Sequence, residues 1–170
     1  MSVIIEDGSI VDNANSLVTR ADAIAHAALH GKTLANETAT DVLLIKAMGY
    51  FLSIEAQLKG CRVDRDQALA YPRAGVEING FVWDSDEIPT EAKIAQIELA
   101  LDISQSVDIY NRSLKKGAVI GESVDGAVSR QYADTSTKSI STNFIKTRGT
   151  EALKPLLKNV GLMSVDLVRG

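Results

Sequence analysis

TATDVLLIKAMGYFLSIEAQLK, residues 38–59, decides the fold class. Leu44, Ala47, Phe51, Ile54 and Leu58 recur at spacings of three or four and form one apolar stripe, and Gly60 follows as a stop. This is the pattern of an amphipathic helix with a single buried face. On its N-terminal side, TRADAIAHAALH (19–30) starts with Thr19 and Asp22 in a pattern close to a capping box and stops at Gly31. On its C-terminal side a further helix is expected to start near Pro89 and run to about residue 108. There Ile94, Ile97 and Leu101 line one face, while Leu99, Ile103 and Val107 widen it. An apolar arc this wide implies a helix packed on two sides. The expected class is therefore mainly α: a small bundle of three core helices plus a C-terminal helix.

Between the second and third helices lies DQALAYPRAGVEINGFVWDSDEIP (66–89), with two of the three prolines and the single tryptophan. Connections between helices usually take about 2–8 residues. Val76, Ile78, Phe81, Val82 and Trp83 argue against disorder. The strip from 60 to 89 is therefore expected to pack, either on its own helices or on another chain. Pro72 fixes backbone direction, Gly75 permits a tight bend, and Arg73 is expected to reach a carboxylate or helix end in its own or a neighbouring subunit.

After residue 112 the pattern changes. Asp125-Gly126 between β-favouring flanks predicts a hairpin over residues 113–133. DTSTKSISTN (134–143) reads as a polar connection, and a short helix is expected from about Thr150 to Lys158, limited by Pro155. The organisation is thus a helical core over 1–112, a hairpin over 113–133, and a C-terminal arm over 134–170.

Composition excludes several classes. The chain of 170 residues is 45% hydrophobic and 24% charged, enough apolar material for one core. No apolar run approaches the ~18 residues of a membrane span, and the N-terminus lacks the features of a signal peptide. The single Cys61 forbids an internal disulfide and suits a reducing cytoplasm; it is expected to be a small buried or half-buried thiol. Charge is divided unevenly. Residues 1–110 carry 8 basic and 17 acidic side chains, residues 111–170 carry 10 basic and 5 acidic. Such asymmetry suggests an appended segment that meets an acidic surface.

Signatures of chemistry are few. His26 and His30 stand one helical turn apart, but Ala-Ala-Leu lies between them and no third ligand is evident from spacing, so two surface or half-buried histidines are expected. Asp84, Asp86 and Glu87 lack calcium-loop spacing and read as a solvated acidic turn before a helix. No phosphate-cradling glycine loop is present. The expectation is a protein that is not an enzyme, with no cofactor and no required metal.

Several segments, in order, resemble a family of small tailed-phage proteins: VIIEDGSIVDNANSLVT (3–19), LLIKAMGYF (43–51), DQALAYPRAGV (66–76), IPTEAKIAQIELAL (88–101), VIGESVDGAVSRQYA (119–133) and LKPLL (153–157). The most specific part is Gln67 to Gly75, although Tyr71 stands where the family often has Trp. Members resemble head-completion adaptors, or head–tail connectors, beneath the portal of a phage. Some relatives instead carry the label of a DnaT-like single-stranded-DNA-binding protein. The resemblance to adaptors implies a homo-oligomeric ring of twelve copies in the virion neck, made in the host cytoplasm and bound to no membrane. It would dock on the portal and on a downstream tail-terminator, stopper or tail protein, with DNA passing through the lumen. Ring contacts are heterologous, each copy offering one surface to a different one on its neighbour. Candidate subunit and portal contacts are Tyr71, Pro72, Arg73, Trp83, Arg148, Leu156, Leu157, Leu162, Met163, Leu167, Val168 and Arg169, the last eight assigned to the arm. Single-strand binding, the alternative, asks for a basic groove with aromatics. An acidic chain with 5% aromatic residues favours the ring.

Overall fold

The computed structural model describes residues 2–110, 119–124, 128–132 and 146–158, of the two segments 119–124 and 128–132 the backbone only. Helix α1 spans Arg20–Leu29, α2 Thr38–Ser53, α3 Thr90–Ser104 and α4 Arg148–Ala152. Three short antiparallel pairs accompany them: β1 (Cys61–Arg62) with β2 (Arg73–Ala74), β3 (Val76–Ile78) with β4 (Phe81–Trp83), and β5 (Val119–Val124) with β6 (Val128–Tyr132). The fold is mainly helical, as expected. The pairing of β5 with β6 agrees with the expected hairpin, while its turn at Asp125-Gly126 lies outside the described residues.

Local chemistry sets the helix limits. Thr19 accepts from the Asp22 N–H, and Asp22 accepts from the Thr19 N–H, so the capping box read from the sequence is formed. The apolar stripe of α2 is buried from Leu44 to Phe51; the regular helix ends at Ser53, and a 3-10 turn over Glu55–Gln57 carries Ile54 and Leu58 into the same core. Every residue of α3 from Ala95 to Asp102 is buried, with α2 packed on one part of its surface, α4 on another and α1 also in contact. The wide apolar arc has the two-sided packing it implied.

The strip from 60 to 89 packs on its own chain. Leu69, Tyr71, Val76 and Ile78 join Phe51, Leu99 and Leu156 in one core cluster. Gln67, buried, organises the bend: its carboxamide oxygen accepts from the Val63 and Asp64 N–H groups at 3.0 Å, and its nitrogen donates to the carbonyls of Leu69 and Pro72. The Tyr71–Pro72 peptide bond is cis. Cys61 is exposed, not buried or half-buried as expected.

Buried polar groups tie the remaining segments. Gln96 on α3 is fully buried; its oxygen accepts from the Leu17 N–H, and its nitrogen donates to Ser16 Oγ and to the Leu44 carbonyl. The Glu6 carboxylate is buried too, and accepts from the N–H groups of Gly8, Ile10 and Val11, which fixes the N-terminal loop.

Two ion pairs make stability depend on acid. Arg20 on α1 grips Asp41 on α2, and its hydrogen bond holds the Asp41 carboxyl below the usual range. Arg62 does the same for Glu55. A group whose pKa is depressed on folding stabilises the fold above its unfolded value, and that contribution is lost as pH falls through the folded value. Stability measured by urea denaturation is expected to fall as pH drops below about 4. Equal stability at about pH 3 and about pH 6 would contradict both pairings.

The C-terminal residues that are described do not reach outward. Thr147 and Thr150 form a second capping box at the start of α4. The Gly149 N–H donates to Asp102 Oδ2 at 2.9 Å, and a Cβ at Gly149 would stand 2.8 Å from Leu99 Cα, so glycine permits this close approach. Leu153 and Leu156 are buried, and the backbone of Lys158 bonds to Gln57 while that of Lys59 bonds to Leu156. Residues 146–158, expected in an extended arm, instead fold back on α3 and on the end of α2. Residues 159–170 lie outside the described residues.

Candidate functional site

Two surface regions concentrate the chemistry of the described residues. The first is the β3–β4 hairpin, VEINGFVW (76–83). Asn79 and Gly80 have φ of 53° and 83°, the pair of positive values a two-residue hairpin turn requires. Val76 and Ile78 point into the core and Glu77 outward, by the alternation of a strand. Trp83, opposite Val76, is half-buried against the core. Phe81 and Val82 remain 76% and 75% exposed.

Beside this turn a cleft of about 550 Å³ is lined by Lys59, Gly60, Gly75, Glu77, Asn79, Gly80 and Lys158. It forms where the C-terminal turn meets the end of α2. The Lys59 ammonium donates to the Glu77 carbonyl at 2.9 Å and the Lys158 ammonium to the Ala56 carbonyl at 3.0 Å. Two ammonium groups near exposed glycine backbone can receive an anion, with the Glu77 carboxylate as the opposing charge. The adjacent Phe81 ring offers a free face for stacking.

The second region lies where α1, α3 and α4 meet. His26 on α1 and His30, the residue that caps its C-terminus, stand with ring centroids 4.6 Å apart. From α3, Glu98 brings its Oε1 to 2.9 Å from His26 Nε2 and 3.9 Å from His30 Nε2. Arg148, at the start of α4, donates to the same oxygen at 3.1 Å. The Glu98 side chain is only 5% exposed, and among the described residues no hydrogen bond reaches its buried Oε2. A cleft of about 560 Å³ opens here, lined also by Lys146, Thr147 and Glu151. The sequence shows the histidine pair but not Glu98, which is 72 residues from His26. The available signal is a charged residue on the apolar arc of α3.

The expected contact residues fall into three groups. Tyr71, Pro72, Arg73 and Leu156 are buried in the chain's own core, so none presents a surface to a second chain. Arg73 does reach a carboxylate, within its own chain: Nη1 donates to Glu55 at 3.2 Å, while Nε and Nη2 donate to the carbonyls of Lys59 and Gly60. Burial also pushes the Tyr71 phenol well above its ordinary pKa. Trp83 and Leu157 are half-buried, and Arg148 is half-exposed but paired with Glu98. Leu162, Met163, Leu167, Val168 and Arg169 lie outside the described residues.

A chain built around a strapped helical body, with one aromatic hairpin and one histidine–carboxylate cluster, is matched over residues 1–170 by a family model described as "Putative DnaT-like ssDNA binding protein". The protein belongs to this family. That description is the second of the two labels carried by the resembled phage proteins. No curated protein and no solved structure matches the chain. Among the described residues no helix is long and apolar enough to cross a membrane.

Proposed function

We propose that the protein binds single-stranded DNA without sequence preference, using the β3–β4 hairpin and the lysine cleft beside it. Membership of the family over the full chain carries this reading. The geometry supports it: an exposed ring at Phe81 provides a stacking platform, and Lys59 and Lys158 provide charge for the phosphates. The excess of basic residues after position 110 adds to the electrostatic attraction. Fluorescence anisotropy with a labelled oligothymidine, over a range of salt, tests it. Phe81→Ala is expected to weaken binding about 5- to 150-fold, the worth of one stacked base. Its stability should be unchanged, since the ring is 76% exposed. Absence of binding at low salt, or equal binding by Phe81→Ala, would sink this reading.

A second reading is the head–tail adaptor ring, favoured by the acidic balance of residues 1–110, 8 basic against 17 acidic. Strong phosphate contacts would hold DNA in a channel, so an acidic or neutral lumen suits its passage. On this reading twelve copies sit in the virion neck between the portal and a tail protein. The buried Tyr71, Pro72 and Arg73 then leave ring contacts to other surfaces. Images of the virion neck decide it: a chain found free of the neck ends the adaptor reading.

A further inference from the structure

We propose that His26, His30 and Glu98 form a three-ligand site for a divalent transition-metal ion, with Zn²⁺ the best match and a fourth position open to the cleft beside α4. The inference is independent of how the protein meets DNA. The donor set is two imidazoles and one carboxylate, a combination that binds Zn²⁺ when one position is left for water or another ligand. Two imidazoles disfavour Mg²⁺ and Ca²⁺, which take oxygen ligands.

The geometry is near what an ion needs. One ligand atom from each residue lies within 4.8 Å of the others. Tetrahedral bonds of about 2.0–2.1 Å place neighbouring ligand atoms about 3.3 Å apart. Glu98 Oε1 already stands at 2.9 Å and 3.9 Å from the two Nε2 atoms, on either side of that value. Closing the set requires rotamer adjustment of the two histidines, whose side chains are 18% and 38% exposed. His26 in the last turn of α1 and His30 at its C-cap bring two ligands to one end of the helix, and packing of α1 on α3 supplies the third.

The state of Glu98 is a second, independent observation. A buried carboxylate normally has both oxygens hydrogen-bonded, because each carries part of a charge that burial penalises. Here Oε1 meets His26 Nε2 and the Arg148 guanidinium, while Oε2 is buried with no hydrogen bond from the described residues. Coordination through either or both oxygens places a double positive charge beside this carboxylate and compensates the deficit. Arg148 is the competitor. Its guanidinium shares Oε1 and would be repelled by a cation between the imidazoles, but it is half-exposed and can turn to solvent.

The test uses the full chain without a histidine tag, stripped with a chelator and titrated with Co²⁺, whose visible bands report tetrahedral coordination. Zn²⁺ then competes for the same site. One equivalent of Co²⁺ is expected to bind and to be displaced by Zn²⁺. His30→Ala and Glu98→Gln should each weaken binding at least about 100-fold, more than loss of an outer-shell partner costs. Arg148→Ala should bind as tightly as the wild type or tighter. Circular dichroism establishes that each variant is folded, and His30, exposed at the helix end, keeps the test available if Glu98→Gln is not. Zn²⁺ should raise the melting temperature of the wild type and leave that of His30→Ala unchanged. No saturable Co²⁺ uptake by the wild type, uptake unaffected by His30→Ala, or weaker uptake by Arg148→Ala would each overturn the proposal.

Discussion

Truncation after Asn143 is expected to leave the isolated protein largely unfolded. The deletion removes α4 and the turn that follows it, and with them Leu153 and Leu156, which are 1% and 0% exposed. Loss of a buried leucine side chain costs about 2–5 kcal/mol, and whole domains are stable by about 5–15 kcal/mol. The deletion also strips the Gly149 N–H from Asp102, a carboxylate that is itself buried on α3, and bares the α3 surface that α4 covers. Denaturant unfolding of the truncated and full chains measures the difference, with Leu156→Ala, expected to lose about 2–5 kcal/mol, as the milder companion. A truncated protein within about 1 kcal/mol of the full chain would mean that these residues serve a partner instead.

Arg73→Ala is expected to destabilise the protein by about 3 kcal/mol or more, since each buried acceptor left without a donor costs about 1–3 kcal/mol. The side chain is 5% exposed and its donors are spread over Glu55 and the carbonyls of Lys59, Ala70 and Gly60. Without it, these oxygens stay in a site with little access to water. Arg73→Lys should lose nearly as much, because one ammonium cannot reach around a fork of four acceptors. Glu55 keeps its bidentate partner Arg62, so the loss belongs to the strap rather than to the carboxylate. If Arg73→Ala melts like the wild type, and only association with another chain suffers, Arg73 is an interface residue after all.

The sequence made the helices legible because their signals are local. The Thr19–Asp22 box, the stripe from Leu44 to Leu58 and the start near Pro89 all act within one or two turns. The β3–β4 hairpin is less legible, although Asn79-Gly80 between Val76, Ile78 and Phe81 is the same class of signal as Asp125-Gly126. Its strands are three residues each, too short for alternation to stand out. The leucines of the C-terminal segment were read correctly as an apolar face. Which surface they cover was not legible, since the same face fits its own α3 or another chain. Gly149 decides that question by contact with Leu99, and no local pattern encodes a contact 50 residues away. Gln96 and Glu98 posed a related difficulty, as polar positions on a buried arc whose partners lie on other elements.

The contact between Asp102 and Gly149 has a topological consequence. Asp102, near the end of α3, and Gly149, in α4, are held in direct contact although 47 residues separate them. Whatever chain joins these two anchors has its ends held together by the helical body. Lengthening such a connection is cheap, since doubling a loop adds only about 0.6 kcal/mol to its closure. Closure between the two anchors therefore sets little limit on the length of chain that joins them.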